Sequence, residues 1–339
     1  MPATTRKHWR PVLTLLFITP LLTELLSNNL TFSKLFLPPV MMLFLMTIGY
    51  GFPVLLIREI AARRSFGLSQ LVLMGLAYGI WNEGILARTL LRAYNLPIDW
   101  FDFYGITSRV AIPWAFLICS WHALHAVVYP ILIVHFLFPA HRGEPWLGKS
   151  SSIVIALITL AVGGAVYFTP LPEAPAGPLP QFLIFGGIGL ALFLIAPLLP
   201  RAPLIKPGGP FLWSAIRHGF CLFLAAFFIP IIFARMRIPV FLYAGYFAAL
   251  FGIAFYFLVR KRELPERTML LFMLGDEICV ASFALIGACG MFSYERIATS
   301  LLFLSIFLFA IGWLRKQKIE TYLPIESEEI DRAAITQQK

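Results

Sequence analysis

The sequence predicts an all-α integral membrane protein, a polytopic transmembrane helical bundle of about ten spans. Two observations support this fold class. Of the 339 residues, 59% are hydrophobic and 13% are charged, whereas soluble domains carry about 25% charged residues. Apolar stretches also recur along the whole chain, and most reach the length of about 20 residues that a helix needs to cross a bilayer. Together these observations exclude a soluble protein.

Short polar breaks divide the chain into ten predicted spans. The fourth span is long enough to be tilted or broken near Pro130. Residues 1–320 are therefore predicted to form a single membrane domain, and residues 321–339 a polar cytoplasmic tail that is too rich in charge to fold. The predicted spans are residues 11–28, 36–57, 68–91, 110–138, 152–168, 181–200, 211–234, 238–259, 268–292 and 297–314.

Lysine and arginine residues are divided unevenly between the two sides of this arrangement. With the N-terminus inside, the cytoplasmic breaks hold 19 of the 27 basic residues and the opposite breaks hold six. Basic residues accumulate in cytoplasmic loops, so both termini are predicted to be cytoplasmic, in a multi-pass protein of the cytoplasmic (plasma) membrane. The same distribution explains the net charge of +10 without a nucleic-acid partner, and membrane lipids are the expected surroundings.

The third span carries the most informative polar residues of the chain. Its apolar first half is followed by Asn82, Glu83 and then Arg88. A carboxylate within a membrane helix costs about 2.5–3.5 kcal/mol on insertion scales, so it is usually retained only where it faces a partner or a wet cavity. Glu83 and Arg88 point about 140° apart on an ideal helix, so they do not neutralise each other fully. Glu83 is therefore the predicted centre of a site, with a purely structural contact to a neighbouring helix as the alternative.

Two histidines, His122 and His125, lie near the middle of the fourth span. Residues three apart share one face of a helix, so both imidazoles are expected to converge. Such a face binds a metal together with Glu83, or supplies a base and an orienting partner, or simply forms hydrogen bonds within the core. The sequence has no HExxH spacing that would pre-form a metal site. We therefore do not expect a bound metal, and the sequence requires no cofactor. Since spans three and four are consecutive and antiparallel, we predict that Glu83 and both histidines meet in one intramembrane pocket.

Other acidic residues lie within or at the ends of spans. Glu24 lies near the outer end of the first span, where it is expected either at headgroup level or inside the bundle. Glu59 ends the second span beside Arg58 and two further arginines, and it is expected to pair with one of them. Asp276 and Glu277 lie in the ninth span. Either one of these faces the bundle and the other a water-filled vestibule, or both pair with basic groups near the cytoplasm.

The polar residues of spans three and four resemble a motif of the CPBP family of intramembrane proteases, which includes CAAX prenyl-endopeptidases and Abi proteins. That family has paired glutamates in EExxxR, followed by histidines on later spans. Here the run from Glu83 to Arg88, EGILAR, keeps the first acid and the arginine at the family's spacing, with Gly84 at the second acid. His125 lies four residues after an aromatic residue, as the family's histidine does. The likeness covers residues 68–138, and the overall layout also looks like that of uncharacterised bacterial polytopic membrane proteins.

The CPBP resemblance implies an intramembrane hydrolase or protease that acts on a membrane-embedded peptide or a lipid-linked substrate. In this interpretation Glu83 activates water as the general base. His122 and His125 orient that water or stabilise the oxyanion, and Arg88 tunes the charge of the site. The layout resemblance implies a family but no activity.

Two other function classes fit the same residues. In a proton-coupled small-molecule transporter, Glu83, the two histidines and the Asp276–Glu277 pair line a path through the membrane. A non-catalytic membrane scaffold is the third hypothesis. A closed pocket that joins Glu83 to a histidine favours the enzyme, whereas a polar route that reaches both membrane faces favours the transporter.

Overall fold

Helices make up almost the whole of the computed structural model, which describes residues 8–36, 41–92, 95–170, 177–199, 208–260 and 264–316. The one sheet in these ranges is a two-stranded antiparallel hairpin, β1 (Ile106–Thr107) and β2 (Val110–Ala111), in the connection that precedes the fourth long helix. The all-α class is therefore confirmed. The predicted tail, residues 321–339, lies outside the described residues.

Eight helical stretches of the described chain are long and apolar enough to cross a membrane, and they coincide with eight of the ten predicted spans. The predicted first and third spans are also helical, but the first is shorter and polar residues interrupt the third. In chain order the helices are α1 (Trp9–Pro20, continued by Leu21–Leu25), α2 (Met42–Arg64), α3 (Leu68–Trp81, continued by Asn82–Leu86), α4 (Ile112–Leu137), α5 (Lys149–Phe168), α6 (Leu179–Leu198), α7 (Trp213–Arg235), α8 (Val240–Arg260), α9 (Glu266–Gly290) and α10 (Tyr294–Lys316).

Helices α3 and α4 form the centre of the bundle. In the most apolar part of α4, 78% of the residues are buried, against 11% for the corresponding part of α6. Helix α3 packs against both α4 and α6, and α9 packs against α7 and α10. Helices α5, α6 and α8 therefore present most of their apolar surface outwards, as helices that face lipid do, and the polar residues of α3 and α4 lie inside.

Glycines allow α3 and α4 to touch along their backbones. A Cβ atom at Gly75 would lie 2.7 Å from Cα of Ala123, and one at Gly79 would lie 2.7 Å from Cα of Cys119. Small residues four apart permit this close approach in membrane helices, where packing rather than hydrophobic burial holds helices together. The contact brings the second half of α3, with its polar residues, against the middle of α4.

Several helices contain wide, π-type turns, in which each N–H bonds five residues back rather than four. Such turns are rare in proteins, and many of those that do occur lie at functional sites. Four of the five in the described chain contain polar residues that build the sites below, namely Glu24, Tyr50, Glu83, and the pair His122 and His125. The five segments are Leu21–Leu25, Thr47–Gly51, Asn82–Leu86, His122–Val128 and Leu224–Phe228.

The distortion expected near Pro130 in α4 takes the form of the wide turn His122–Val128, which ends two residues before the proline. A proline has no N–H, so Pro130 gives no helical hydrogen bond to the carbonyl of Ala126, four residues earlier. Ala126 lies inside the wide turn. Helix α4 is therefore continuous but changes its helical register in the region that carries the two histidines.

Candidate functional site

Glu83 and His122 form a buried carboxylate–imidazole pair between α3 and α4. The distance from Glu83 Oε1 to His122 Nε2 is 2.7 Å, and the two side chains are 7% and 1% exposed. Glu83 Oε2 accepts a hydrogen bond from the hydroxyl of Thr89, whose oxygen accepts one from Trp114 Nε1 at 2.9 Å. Both oxygens of the carboxylate are therefore held in place, and the structure brings Glu83 and His122 together.

The rings of two tyrosines pack near the ring of His122. The ring centroids of Tyr50 and Tyr78 each lie 5.7 Å from that of His122. Tyr78 donates its hydroxyl hydrogen to the carbonyl of Gly49 at 3.0 Å and accepts a hydrogen bond from Asn82 at 2.8 Å. His122 Nδ1 is buried and has no hydrogen-bond partner among the described residues. One nitrogen of this imidazole is thus engaged, and the other is not.

Glu24 of α1 belongs to the same buried region. Its carboxylate accepts hydrogen bonds from the Tyr50 hydroxyl and from the side-chain amide of Asn29, and the residue is 7% exposed. Of the two places expected for Glu24, the structure therefore favours the bundle interior. We call Glu24, Tyr50, Glu83 and His122 the Glu83 cluster.

His125 contacts α9 rather than Glu83. Its Nδ1 lies 3.2 Å from Glu277 Oε1 and its Nε2 lies 3.4 Å from Asp276 Oδ2, and all three side chains are fully buried. The indole of Trp121 stacks on the imidazole with 3.8 Å between ring centroids. This corrects the expectation that both histidines converge on Glu83. The reason is the wide turn, in which each residue advances by a smaller angle, so residues three apart diverge more than in an α-helix.

Among the described residues, Asp276 and Glu277 face neither a vestibule nor a lysine or arginine side chain. Both are fully buried against His125, although adjacent residues of a helix point about 100° apart. The carboxylate of Asp276 interacts with the hydroxyl of Tyr129, and Oε2 of Glu277 has no hydrogen-bond partner within the described ranges. We call His125, Asp276 and Glu277 the His125 cluster.

The two clusters together hold four buried carboxylates and two imidazoles. Among the described residues, no lysine or arginine nitrogen forms an ion pair with any of these four acids. Unpaired charge is expensive inside a membrane, so buried acids there take up protons or pair with cations. Within the described residues, these carboxylates instead contact the two imidazoles and neutral hydroxyl and amide groups.

Arg88 is turned toward α5 instead of toward Glu83. Its Nη1 donates hydrogen bonds to the carbonyl oxygens of Tyr167, at 3.3 Å, and Thr169, at 3.0 Å, and the residue is 1% exposed. This geometry agrees with the divergence expected from the spacing of the two residues. These hydrogen bonds tie the end of α3 to the end of α5.

A family comparison supports the membrane class. The family model of an uncharacterized membrane protein family matches residues 13–323 of the chain. The protein belongs to this family. No curated protein and no solved structure matches the chain. Membership agrees with the layout likeness to uncharacterised polytopic membrane proteins and with a multi-pass membrane protein, but it lends no support to the CPBP likeness.

Glu59 and Arg58 form a buried ion pair near the C-terminal end of α2. Arg58 Nη1 lies 2.9 Å from Glu59 Oε1, and Arg63 Nη2 lies 3.4 Å from Glu59 Oε2. Glu59 also accepts hydrogen bonds from the backbone N–H groups of Trp146 and Leu147, at 2.8 and 3.2 Å. The expected pairing of Glu59 with neighbouring arginines is therefore confirmed, and the pair fixes the loop between α4 and α5.

Three residues in or beside the Glu83 cluster were not singled out from the sequence as site residues. Tyr50, Tyr78 and Thr89 lie in apolar stretches where aromatic and hydroxyl residues are ordinary core residues. The one available signal was the glycine on each side of Tyr50, in Gly49-Tyr50-Gly51, because glycine inside a helix often marks a distortion or a close contact. The pairing of His125 with α9 had no local signal.

A cavity of about 280 Å³ lies at the same end of the bundle as Glu59. Most of its wall is apolar and comes from the turn between α2 and α3, from α4 and from α9. Its polar lining includes His135, Arg142 and Glu266, and the last two form an ion pair. Neither Glu83 nor His125 lines this cavity, so it is separate from both clusters.

Proposed function

We propose that this protein is a hydrolase of the membrane interior whose acid–base group is the Glu83–His122 pair. The observation that carries the proposal is the 2.7 Å contact between Glu83 Oε1 and His122 Nε2, together with a buried Nδ1 that has no partner among the described residues. A carboxylate that accepts Nε2–H fixes the tautomer, so the lone pair lies on Nδ1. Nδ1 is then the base.

The reaction that fits this pair is hydrolysis of a carbonyl compound by activated water. His122 Nδ1 takes a proton from water as the oxygen attacks the carbonyl carbon, and the carboxylate of Glu83 stabilises the resulting imidazolium. The same proton then passes to the leaving oxygen or nitrogen, which releases an acid and an alcohol or amine. Glu83 thus orients and stabilises rather than acting as the base, because both of its oxygens are already engaged.

The substrate class rests on the CPBP resemblance of residues 83–88 and is a membrane-embedded peptide or a lipid-linked compound. Gly84 stands where that family has a second glutamate, so a two-carboxylate mechanism does not carry over. His125 is unavailable to Glu83 and Arg88 is turned toward α5, so neither belongs to the proposed catalytic pair.

The proposal includes ten spans in a cytoplasmic membrane, with both termini in the cytoplasm. Its support is the excess of basic residues on one side, 19 against six, and the helices found at all ten predicted positions. A reporter fused after Lys149 should report the cytoplasm, and one fused at Glu173 should report the outside. A cytoplasmic signal at Glu173 would contradict the ten-span arrangement.

Proton-coupled transport is the second candidate, favoured by the His125 cluster. A carboxylate lies within 3.4 Å of each ring nitrogen of His125. An imidazole placed between two acids can accept a proton on one nitrogen and release one from the other, which is the step that a proton relay needs. All three side chains are fully buried, so this relay would open only during a transport cycle.

Comparison of whole-cell extracts tests the hydrolase proposal without a known substrate. Cells expressing wild type, His122→Gln or His218→Gln are extracted, and their lipids and small peptides are compared by mass spectrometry. His218 is an exposed histidine of α7 and serves as the matched control. We expect wild type and His218→Gln to deplete one compound and accumulate products that together carry the mass of one added water, and His122→Gln to do neither.

A transport measurement separates the two candidates. Purified wild type, His122→Gln and Asp276→Asn are reconstituted into liposomes that contain a pH-sensitive dye. Proton entry that is lost in Asp276→Asn, with no hydrolysis product in the cell extracts, would overturn the hydrolase in favour of the transporter. Products that depend on His122 without proton entry would support the hydrolase.

A further inference from the structure

A third group of ionisable side chains lies outside the spans, where the start of α1 meets the loop between α4 and α5. His8, His141 and Glu144 each bring one nitrogen or oxygen atom to a common point, with these atoms all within 4.8 Å of one another. His141 Nδ1 lies 2.9 Å from Glu144 Oε1, and His8 Nδ1 lies 3.9 Å from the same oxygen. The two imidazole rings meet edge to face, with centroids 5.0 Å apart.

We propose that these three side chains form a binding site for a divalent transition-metal ion, with Zn²⁺ as the best match. Two imidazoles and one carboxylate are a known ligand set for zinc, with the fourth position left to water. Zinc bonds of about 2.0–2.2 Å in a tetrahedron place ligand atoms about 3.3–3.6 Å apart. The two measured separations, 2.9 and 3.9 Å, lie on either side of that range, so small side-chain adjustments suffice.

The state of His8 points to a missing ligand. Its Nδ1 is buried and has no hydrogen-bond partner within the described part of the chain, although it faces a histidine and a carboxylate. Buried polar nitrogens normally have partners, so an atom without one calls for an explanation such as a bound ion. A metal bound between His8, His141 and Glu144 supplies that partner.

Hydrogen bonds from buried side chains hold the loop that carries two of the ligands. The carbonyl oxygen of His141 accepts hydrogen bonds from Arg58 Nη2 at 2.7 Å and from Trp146 Nε1 at 2.8 Å. The side chain of Arg142, the next residue, binds the carbonyl of His135 and Glu266. Contacts of this kind orient metal ligands before the metal arrives, and rigid support of this sort raises affinity.

The site can exchange metal with the surrounding solution. The side chains of His8, His141 and Glu144 are 17%, 21% and 41% exposed. Hard cations such as Mg²⁺ and Ca²⁺ prefer oxygen ligands alone, whereas a pair of imidazoles selects zinc and its neighbours. A metal bound here would link the start of the first helix to the loop between α4 and α5, two segments that are far apart in the sequence.

Zinc binding to the purified protein tests the site. The full chain is produced with an affinity tag that lacks histidine, washed with chelator, incubated with ZnCl₂, and separated from free metal by gel filtration. We expect elemental analysis to find about one zinc per protein. The affinity is measured by competition with a chromophoric chelator. His141→Gln and Glu144→Gln should weaken the affinity at least about 10–100-fold, since loss of a supporting residue alone has that effect. His218→Gln should bind as wild type does.

A second readout guards against variants that merely fold poorly. Zinc should raise the melting temperature of wild type and of His218→Gln, because a ligand that binds only the folded state stabilises it, and at the same zinc concentration it should raise that of Glu144→Gln less. Wild type without bound zinc, or equal zinc affinity in wild type, His141→Gln and Glu144→Gln, would overturn the proposal. Neither result bears on the Glu83–His122 hydrolase, which contains none of these residues.

Discussion

Glu83→Gln should lower the turnover of the proposed hydrolysis by about 10²–10⁴-fold, the usual range for acid–base catalysis, because His122 acts as the base only with Glu83 to orient and stabilise it. Glutamine keeps the size of the side chain and can still accept the hydrogen bond from Thr89. It carries no charge to stabilise the imidazolium that forms when His122 takes the proton from water. Turnover is measured on the compound identified in the extract comparison, with each variant quantified in the membrane.

The double variant Glu83→Gln/His122→Gln distinguishes a coupled pair from two independent residues. Residues that act as one catalytic unit show strongly non-additive losses, so the double variant should be no slower than His122→Gln alone. Glu59→Gln is the control, since Glu59 is likewise a buried, hydrogen-bonded glutamate. It should disturb folding or insertion but not the turnover of the folded fraction. Full turnover in Glu83→Gln, or losses that simply multiply, would exclude the pair as the catalytic group.

Arg58→Met should destabilise the protein by about 3–5 kcal/mol, the cost of removing one partner of a buried charge pair. The Arg58 side chain is fully buried and lies 2.9 Å from Glu59 Oε1. Its guanidinium also donates to the carbonyls of His141 and Arg142 and lies 3.4 Å over the ring of Trp146. Methionine fills similar space but leaves the carboxylate and both carbonyls without that donor.

The measurement is the unfolding of purified protein in detergent, followed by heating and by titration with a denaturing detergent. Arg64→Met is the matched control, because Arg64 is an exposed arginine of the same helix. Substitutions at exposed positions usually change stability by no more than about 0.5 kcal/mol, so this variant should unfold close to wild type. Equal unfolding of the two variants would show that the Arg58–Glu59 pair does not hold the loop between α4 and α5.

The helices were predictable because an apolar stretch of membrane length is a local property of the sequence. Glu83 was predictable for the same reason, since a carboxylate in such a stretch needs a partner. Its pairing with His122 followed from the antiparallel packing of two consecutive helices, which is a rule of short connections. These inferences need no knowledge of distant parts of the chain.

The partner of His125 could not be predicted in the same way. It depends on the wide turn at residues 122–128, which rotates His125 away from the direction of His122. It also depends on the packing of α9, whose Asp276 and Glu277 lie about 150 residues further along the chain. Two histidines three residues apart lie on one face of a helix only where that helix is a regular α-helix.

The wide turns give the bundle a means of rearrangement that does not require its helices to move apart. Each contains one more residue than an α-helical turn over the same rise, and that surplus can pass along the helix one residue at a time. When it passes a given position, the side chain there swings to a neighbouring direction while both ends of the helix stay fixed. In α4 such a passage would change the directions of His122 and His125, so their contacts with Glu83 and with the acids of α9 are tied to where the wide turn lies.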